Sequence, residues 1–384
     1  MKKKVLFIIW TFTAGGGAEK ILANIANNLD FNKYDIEILE FHNFNIRKEK
    51  INSNIKLLKP ILTEKRRSIP LNIIYKFYSK VIYFAAKRYP KIINEIFVRN
   101  EYDVIIGFNY LIPSFMAAFG KSARKYCWVH SSIEDLDYNL MENKKKILFL
   151  NNMQEKAFNK IDKIIAISNV TERSILNLYP NLDSKIKRIY NGYDFKNVID
   201  SSRENIHLDS GYEYLIIGVG RLVKQKNFSL LIDVANELKN NNINFKLIII
   251  GDGEEREKLN IKVEEYGISD VVELKGYINN PYPYFKAADL FCLTSEAEGF
   301  PTVVVESMIL GCPFVSTNVA GVDELTNNEE CGIIVESDYK EISKKIINLL
   351  KNENKRKHMS KKCIEKAKEY SIDRQVNEVE MLLE

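Results

Sequence analysis

Short apolar runs alternate with amphipathic stretches of helical length along this chain, and they form two separate series. In the first series the apolar runs are at residues 5–10, 104–108, 126–129 and 164–167. In the second they are at residues 215–219, 245–250, 271–274, 290–293 and 314–316. Apolar strands separated by helices are typical of parallel sheets that are covered on both faces. The pattern therefore predicts an α/β protein with two doubly wound, Rossmann-like domains.

The domain boundary is expected where a polar stretch, residues 194–213, separates the two series. The length of 384 residues agrees with two domains. We expect a first domain at 1–200, a second at 210–370 and a terminal segment at 371–384. A single eight-stranded barrel is excluded, because it needs a more even strand spacing than residues 58–104 allow. Ligands of open α/β sheets bind at the carboxyl ends of the strands, so an interdomain cleft is the expected site.

Composition excludes several classes of protein. Hydrophobic residues make up 46% and charged residues 28% of the chain, as in an ordinary soluble globular protein rather than a disordered or fibrous one. Five cysteines without a Cys-x-x-Cys pair favour neither a disulfide framework nor a structural zinc site, and they suit a reducing cytoplasm. No apolar run approaches the roughly 20 residues that span a bilayer. The basic start and apolar residues 5–14 imitate a secretory signal, but without a small-x-small cleavage site we expect a first strand there.

A glycine-rich turn, Gly15-Gly16-Gly17, follows the first predicted strand and precedes a helix. Consecutive glycines let backbone N–H groups and a helix N-terminus approach an anion or a sugar. The Gly-x-Gly-x-x-Gly spacing of dinucleotide-binding proteins is absent. A tight turn without any ligand remains the alternative for this loop.

Two cations follow the first strand of the second series. Arg221 comes just after that strand, and Lys226 stands five residues later beside a helix start. Two cations at the carboxyl edge of a sheet can clamp a diphosphate without a metal ion. A solvated basic loop is the alternative.

Two glutamates, Glu298 and Glu306, flank the start of a later helix, with Gly299-Phe300-Pro301 after the first of them. Pro301 suits the first helical position, which leaves Glu298 in the loop and Glu306 near the second turn. Amides of that loop would point toward the group that Glu298 contacts. A carboxylate in an apolar helix needs a polar partner if it is buried, and ribose hydroxyls would serve.

One histidine, His130, stands at the carboxyl edge of a predicted strand, the run at residues 126–129. A histidine there can contact a ligand of the sheet edge. A core or surface histidine without a ligand is the alternative.

In combination these motifs resemble the retaining glycosyltransferases of family 4, which have the GT-B fold. The resemblance covers nearly the whole chain, from Gly15-Gly16-Gly17 through His130 and Asn191-Gly192-Tyr193-Asp194 to Glu298-x7-Glu306. It implies that Arg221 and Lys226 hold the donor diphosphate. It also implies that a terminal helix at 372–383 crosses back onto the first domain.

The resemblance implies further roles in binding the donor. Glu306 would bind the ribose, and Glu298 would contact the donor sugar with help from amides near Gly299, Phe300 and Pro301. His130 would lie beside the transferring sugar, and the Gly16–Gly17 loop would close over the donor.

The reaction implied is transfer of a hexose from a nucleoside-diphosphate sugar to a glycan or lipid-linked saccharide. We expect a UDP-sugar as donor, no cofactor and no metal. Cations and helix N-termini would stabilise the departing diphosphate. We expect retention by same-face attack, with the leaving phosphate helping to remove the acceptor proton, rather than a covalent Glu298 adduct. Alternatives are a nucleotide-sugar 2-epimerase of the same architecture, a glycan-phosphorylase-like enzyme and a non-catalytic sugar-nucleotide-binding module.

The positive charge of the chain is concentrated in residues 56–91, which carry +9 against a total of +5. Within this segment a predicted helix at 71–88 has apolar residues on one face and basic residues on the other: Ile74, Phe77, Tyr78, Val81 and Ala85 against Lys76, Lys80, Lys87 and Arg88. Helices of this kind are typical of proteins that bind an anionic membrane surface, whereas the aromatic residues argue against binding to nucleic acid. A solvated helix packed on the first domain is the alternative. We expect a cytoplasmic enzyme, peripheral on the inner face of the membrane, acting on a polyprenyl-linked acceptor for a cell-surface polysaccharide.

Overall fold

The computed structural model describes residues 2–14, 17–46, 49–64, 69–130, 133 and 144–384. The chain forms two compact units. Unit 1 comprises Met1–Gly192 and Ile372–Glu384, and unit 2 comprises Tyr193–Ser371. Gly15, Gly16 and the basic residues 65–67 lie outside the described residues.

Unit 1 contains a seven-stranded parallel sheet and a small two-stranded one. The strands are β1 (Lys3–Ile9), β2 (Tyr34–Glu40), β3 (His42–Asn43), β4 (Lys56–Leu57), β5 (Leu62–Thr63), β6 (Tyr102–Gly107), β7 (Ser122–Val129), β8 (Lys163–Ala166) and β9 (Ile186–Arg188). The main sheet has the order β4-β2-β1-β6-β7-β8-β9, and β3 pairs with β5. The helices are α1 (Gly17–Asn28), α2 (Ile69–Arg88), α3 (Pro90–Phe97), α4 (Ile112–Phe119), α5 (Lys144–Lys160) and α6 (Asn169–Leu178), followed by a 3-10 helix at Pro180–Lys185.

The start of the chain forms β1, as its apolar pattern predicts, and β1 lies between β2 and β6. The neighbouring strand β2 was not predicted, because its sequence carries acids between the apolar residues. Two of those acids, Glu37 and Glu40, are buried and hydrogen-bonded. Paired acids can therefore occupy a buried strand that a search for apolar runs does not detect.

Unit 2 is a second parallel α/β unit, with a six-stranded sheet in the order β12-β11-β10-β13-β14-β15. Its strands are β10 (Tyr214–Val219), β11 (Phe245–Ile250), β12 (Val272–Gly276), β13 (Leu290–Leu293), β14 (Phe314–Thr317) and β15 (Gly332–Val335). Its helices are α7 (Phe195–Ser201), α8 (Phe228–Asn240), α9 (Arg256–Glu265), α10 (Tyr282–Ala287), α11 (Thr302–Ile309), α12 (Val322–Thr326), α13 (Tyr339–Leu350) and α14 (Glu353–Ala367). Short 3-10 helices lie at Lys224–Lys226 and Lys368–Tyr370. The predicted α/β class with two Rossmann-like units is confirmed.

The division between the units precedes α7, whereas the sequence places the end of the first domain at residue 200. Helix α7 belongs to unit 2 because it packs on α10 and α11. In addition, Tyr193 forms a parallel bridge with Ser371, and its N–H donates to the Tyr370 carbonyl at 2.9 Å. Packing, rather than the polar composition of residues 194–213, therefore sets the boundary.

The terminal helix, α15 (Ile372–Leu383), belongs to unit 1 and packs against α1. Tyr126 donates from its hydroxyl to the Leu382 carbonyl at 2.8 Å. Lys3 Nζ donates to the carbonyl of Leu383 at 3.0 Å. These bonds fix the last turn of the chain to strands β1 and β7.

All five cysteines are buried and free: Cys127, Cys292, Cys312, Cys331 and Cys363. They lie among the apolar side chains of the two units, so they act as small hydrophobic residues. Among the helices of the described residues, none combines the length and the apolar character needed to cross a membrane.

Candidate functional site

The loop after β10 carries the two predicted cations and is held by the loop after β11. Gly251 has a positive φ of +148°, and a Cβ on it would meet the Gly220 carbonyl oxygen at 1.8 Å. Only glycine permits this approach. The Leu222 N–H donates to the Asp252 carbonyl at 2.9 Å. The Gly251-Asp252 turn therefore fixes the backbone around Arg221, whose side chain is exposed.

Lys226 and Glu298, predicted separately, form one ion pair. Their Nζ and Oε1 atoms are 2.5 Å apart, and the two side chains are only 19% and 9% exposed. Ser295 donates to the same Oε1 at 2.6 Å. Both hydrogen bonds are accepted by Oε1, so Oε2 is the oxygen that can accept a substrate hydroxyl.

Residues that sequence reasoning missed hold this pair in place. Gln225 Nε2 donates to the Ala297 carbonyl at 2.7 Å, and the Glu296 N–H donates to the Gln225 carbonyl at 2.8 Å. Thr317 donates from its hydroxyl to the Ser295 carbonyl at 2.6 Å. These contacts tie the loops after β10, β13 and β14 together. The one available signal was the position of Ser295 just after a strand, at the same edge as Arg221.

The predicted helix between the two glutamates is α11, but it begins one residue later than expected. Pro301 is its N-cap rather than its first helical residue. Proline has no N–H, so the donors at this helix start are the neighbouring amides. The Phe300 ring is buried and contacts Tyr370, with ring centroids 5.7 Å apart. Gly299, Phe300 and Pro301 therefore offer backbone groups, not side chains, to a ligand.

Glu306 is the one carboxylate of α11 and stands on its half-buried face. Tyr282, at the start of α10, donates from its hydroxyl to Glu306 Oε1 at 3.2 Å. Burial, followed by the Glu306 charge, raises the pKa of Tyr282 far above its usual value. The phenol therefore stays protonated and keeps donating at any physiological pH.

In unit 1, His130 follows β7 and is neutral. Burial lowers its pKa to about 3, partly offset by a hydrogen bond with the Phe108 backbone. Nε2 is buried and has no partner among the described residues. Nδ1 is therefore the nitrogen that bonds to Phe108, and Nε2 can accept a hydrogen bond from a ligand.

The neutral state of His130 predicts a loss of stability in acid. Because its pKa in the folded protein, about 3, lies below the ordinary 6.5, the unfolded state binds more protons between these values. Stability is thus lost as pH falls from 6.5 toward 3, by about 2–3 kcal/mol at pH 4.5. We expect His130→Gln to remove this part of the acid sensitivity when chemical unfolding is compared at pH 7 and 4.5. Parallel pH dependence in the two proteins would contradict the assignment.

Glu40, at the end of β2, fixes the segment that precedes the glycine-rich turn. Its Oε1 accepts from the Phe12 N–H and the Thr13 hydroxyl, each at 2.6 Å, and from the Thr11 hydroxyl at 3.2 Å. Gly17 begins α1, whereas Gly16 lies outside the described residues. Glu40 was not predicted; its signal was an acid at the carboxyl end of a strand beside β1.

The arrangement in unit 2 can bind an anion and a polyol at one sheet edge. Arg221 and Lys226 supply positive charge, and Glu298 and Glu306 supply oxygens that accept hydrogen bonds from hydroxyls. Within the described part of the chain, no group of three or more His, Cys, Asp or Glu is placed to hold a metal ion.

Two family models match the chain in succession. Residues 15–197 match the model described as Glycosyltransferase Family 4, and residues 200–366 match Glycosyl transferases group 1. The chain is a group 1 glycosyltransferase. The predicted recognition is thus confirmed, and glycosyltransferase activity follows from it.

Two relatives match this glycosyltransferase over most of its length. A Campylobacter jejuni N-acetylgalactosamine-N,N'-diacetylbacillosaminyl-diphospho-undecaprenol 4-alpha-N-acetylgalactosaminyltransferase is 28% identical, over 88% of this chain and 87% of the relative. A second C. jejuni enzyme, a GalNAc-alpha-(1->4)-GalNAc-alpha-(1->3)-diNAcBac-PP-undecaprenol alpha-1,4-N-acetyl-D-galactosaminyltransferase, is 26% identical over 96% and 95%.

The fold of this glycosyltransferase is similar to that of solved structures. Anabaena Alr3699/HepE, solved in complex with UDP, matches with a TM-score of 0.72 at 18% identity, over 100% of this chain and 99% of that one. Sucrose-phosphate synthase from Thermosynechococcus elongatus matches with a TM-score of 0.73 at 16% identity, over 99% and 98%. The fold is GT-B, as predicted.

Proposed function

We propose that this glycosyltransferase moves a hexose from a nucleoside-diphosphate sugar to a lipid-linked saccharide, with retention of anomeric configuration and without a metal ion. The observation that carries the proposal is the ion pair of Lys226 with Glu298 on the loops after β10 and β13. Arg221 belongs to the first of these loops. A cation and a carboxylate held together at one sheet edge suit the two halves of such a donor, its diphosphate and its sugar.

Binding and leaving-group stabilisation follow from the charges of unit 2. Arg221 and Lys226 would neutralise the diphosphate. The negative charge of the diphosphate increases in the transition state, as its bond to the sugar breaks. Cations fixed before the reaction therefore stabilise the transition state more than the bound donor. Backbone amides at the start of α11 would add donors to the same anion. This is the physical basis for proposing a reaction that needs no cofactor and no metal.

We assign Glu298 of unit 2 to the donor sugar. Glu298 Oε2 would accept one sugar hydroxyl while Oε1 stays bonded to Lys226 and Ser295. The neutral His130 would accept a hydroxyl at Nε2. Glu298 is paired with the cation that would hold the diphosphate, so we assign it a positioning role. The acceptor would attack the donor sugar from the face on which the diphosphate leaves.

The acceptor is proposed from the relatives. The two C. jejuni enzymes are named for undecaprenol-diphosphate-linked saccharides, and other relatives, from Staphylococcus aureus, for capsular polysaccharide biosynthesis. We therefore propose a polyprenyl-diphosphate-linked acceptor in polysaccharide biosynthesis, bound by unit 1. A UDP-sugar is the proposed donor, since UDP is present in the structurally similar Anabaena protein.

An exposed apolar and basic surface on unit 1 supports a lipid-linked acceptor. Helix α2 packs on the unit through its inner face, where Ile82 and Ala86 are buried. Its outer face carries unusually exposed apolar residues: Ile73, Ile74, Phe77 and Phe84 are 63–71% exposed. We call these four residues the α2 apolar face. Exposed lysines interleave with it, at positions 76 and 80.

Helices that combine exposed apolar and basic groups typically lie in the interface of an anionic bilayer. The predicted helix is present as α2, and four residues of its predicted apolar face are exposed: Ile74, Phe77, Tyr78 and Val81. Lys76 and Lys80 are exposed as well, so the predicted separation into an apolar and a basic face is not seen. We propose that α2 attaches the enzyme peripherally to the cytoplasmic face of the membrane. The lipid-linked acceptor would then meet the enzyme at the surface where the acceptor resides.

A donor screen tests the proposed function. Thermal shift with UDP-, GDP- and ADP-sugars, each with EDTA, is expected to select one nucleotide that raises the melting temperature without added metal. That donor is then incubated with and without a polyprenyl-diphosphate-linked saccharide, and NMR of the product is expected to show the donor's anomeric configuration. Epimer formation without acceptor would instead favour an epimerase, an inverted linkage would refute retention, and binding only with Mg²⁺ would refute the metal-free site.

A further inference from the structure

A cavity of about 440 Å³ lies at the edge of the unit 1 sheet where β6 and β7 begin. Its volume is typical of small-molecule sites. His130 follows the opposite end of β7, so the cavity is separate from the candidate catalytic site. We call it the α3 cavity, and its polar lining includes Lys91, Asn94, Glu95, Arg99, Glu101 and Lys121.

Five charged side chains line the α3 cavity without pairing with one another. Three are the cations of Lys91, Arg99 and Lys121, and two are the carboxylates of Glu95 and Glu101. All five residues are exposed, and none of them forms an ion pair with a residue that the structure describes. The cavity therefore offers positive and negative groups together to a ligand.

Asn94 adds a neutral acceptor to this lining. The residue is only 5% exposed, and its Nδ2 donates to the Met116 carbonyl at 2.8 Å. Because that carbonyl can only accept, the bond fixes which end of the amide is the oxygen. Oδ1 is buried and receives no hydrogen bond within the described part of the chain. A buried acceptor of this kind needs a donor that the free protein does not supply.

The charges of the cavity restrict the ligand that it can bind. A simple anion is repelled by the two carboxylates, and a simple cation is repelled by the three basic side chains. A phosphate diester suits the guanidinium of Arg99 and the ammonium groups beside it. A primary ammonium has three N–H donors, enough for the two carboxylates and the Asn94 oxygen. Phosphoethanolamine joins these two groups in one small molecule.

Exposed apolar side chains beside the cavity favour a lipid as the source of that group. Ile92 and Ile96, one turn apart on α3, are 51% and 49% exposed. Tyr89, just before α3, is 49% exposed, and its ring contacts Phe84 of the α2 apolar face with centroids 6.4 Å apart. The apolar surface of α2 therefore continues onto α3, the helix that lines the cavity. A bilayer in contact with this surface would bring lipid headgroups to the cavity.

We infer that the α3 cavity binds the headgroup of phosphatidylethanolamine. The inference rests on the proposed attachment of α2 to the membrane and goes beyond it, because attachment through α2 requires no particular lipid. Arg99 binds the phosphate, and Glu95 and Glu101 bind the ammonium. The site thus selects one membrane lipid and fixes α3, as well as α2, on the bilayer.

The test compares two kinds of vesicle that differ in one headgroup. Both contain the same fraction of phosphatidylglycerol, and the remainder is phosphatidylethanolamine in one and phosphatidylcholine in the other. The two zwitterionic lipids have the same net charge, but the quaternary ammonium of choline has no N–H to donate. In co-sedimentation, the full-length protein is expected to bind the phosphatidylethanolamine vesicles about tenfold more tightly.

The double variant Glu95→Gln, Glu101→Gln separates headgroup recognition from general attraction to anionic lipid. It raises the positive charge of unit 1, so binding to the phosphatidylcholine vesicles is expected to stay equal or increase while the preference for phosphatidylethanolamine is lost. Arg99→Gln is expected to reduce the same preference. These side chains are exposed, so their replacement leaves the fold intact. The matched control is Lys59→Gln, an exposed lysine outside the cavity, which is expected to keep the full preference.

The two proposals fail in distinguishable ways. If the wild type binds neither kind of vesicle, the proposed membrane attachment is wrong and the headgroup site falls with it. If the wild type binds both kinds equally, or the double variant keeps the wild-type preference, only the headgroup site is wrong. Calorimetry with soluble glycerophosphoethanolamine identifies the source of the ligand. We expect much weaker binding than to vesicles, and equally tight binding would assign the cavity to a soluble phosphate ester and refute the lipid site.

Discussion

Replacing Lys226 by methionine is expected to lower kcat/KM about 10³-fold while leaving the protein folded. Methionine keeps most of the side-chain volume but removes the charge that we assign to the leaving diphosphate. Removal of one fixed charge-stabilising group typically costs 10²–10³-fold, and here it also leaves the 9% exposed Glu298 carboxylate without its cation. The measurement is steady-state transfer with the donor and acceptor identified by the screen.

The coupling of the pair is tested by a double-mutant cycle with Glu298→Gln. Because Lys226 and Glu298 contact each other and act on one substrate, the double variant is expected to lose clearly less than the product of the two single losses. The control is Lys224→Met, which removes an exposed lysine from the same 3-10 turn and is expected to retain activity within about twofold. Strictly multiplicative losses would show that the ion pair has no role in turnover.

The same variants separate positioning from covalent catalysis. A positioning role for Glu298 predicts measurable residual turnover in Glu298→Gln, because the amide can still accept from Ser295 and Lys226. Mass spectrometry of wild-type enzyme quenched during turnover is expected to show no glycosylated Glu298. A kinetically competent adduct on that residue would overturn the same-face mechanism.

Changing three residues of the α2 apolar face to serine is expected to reduce binding to anionic vesicles about 100-fold. Partial burial of Ile73, Phe77 and Phe84 is worth about 1 kcal/mol each, and the roughly 3 kcal/mol lost corresponds to that factor. These side chains are more than 60% exposed, so their replacement costs little folding stability. The measurement is co-sedimentation with vesicles containing phosphatidylglycerol, at low salt.

Two controls make the vesicle experiment specific. The triple variant Ile261→Ser, Ile364→Ser, Met381→Ser changes exposed apolar residues elsewhere and is expected to bind vesicles like the wild type. Changing Lys76 and Lys80 to glutamine is expected to remove most of the salt dependence, since each basic residue near anionic lipid contributes about 1 kcal/mol. Equal loss in the two serine triples, or wild-type binding by the α2 triple, would refute membrane attachment through this face.

The positions of the predicted site residues could be inferred from sequence because parallel sheets bring the ends of their strands to one edge. That rule placed Arg221, Lys226 and Glu298 together in unit 2 and put His130 at the edge of unit 1. Their roles were implied only by the family resemblance, and the roles remain proposals. The ion pair between Lys226 and Glu298 could not be inferred, because side-chain pairing depends on loop conformations that no spacing encodes.

Errors of prediction arose where polar groups are satisfied by distant partners. Strand β2 was missed because its buried acids are bonded to residues that are distant in the sequence. For example, the Tyr102 hydroxyl donates to Glu37 Oε2 at 2.5 Å. The unit boundary was placed late because α7 has a polar surface but packs on α10 and α11. The burial of the Tyr193 hydroxyl without a partner among the described residues could not be inferred, because only the fold reveals it.

The burial of all five cysteines makes this protein well suited to spectroscopic probes. Thiols inside a folded core react slowly with maleimides because burial blocks access, and all five are buried. Burial also raises the pKa of Cys292 to about 12, whereas a hydrogen bond with Cys363 lowers the pKa of Cys331. A single cysteine introduced on the surface would therefore be labelled selectively against a silent native background. A dye or spin label placed beside α2 could then report lipid contact directly, without first replacing the natural cysteines.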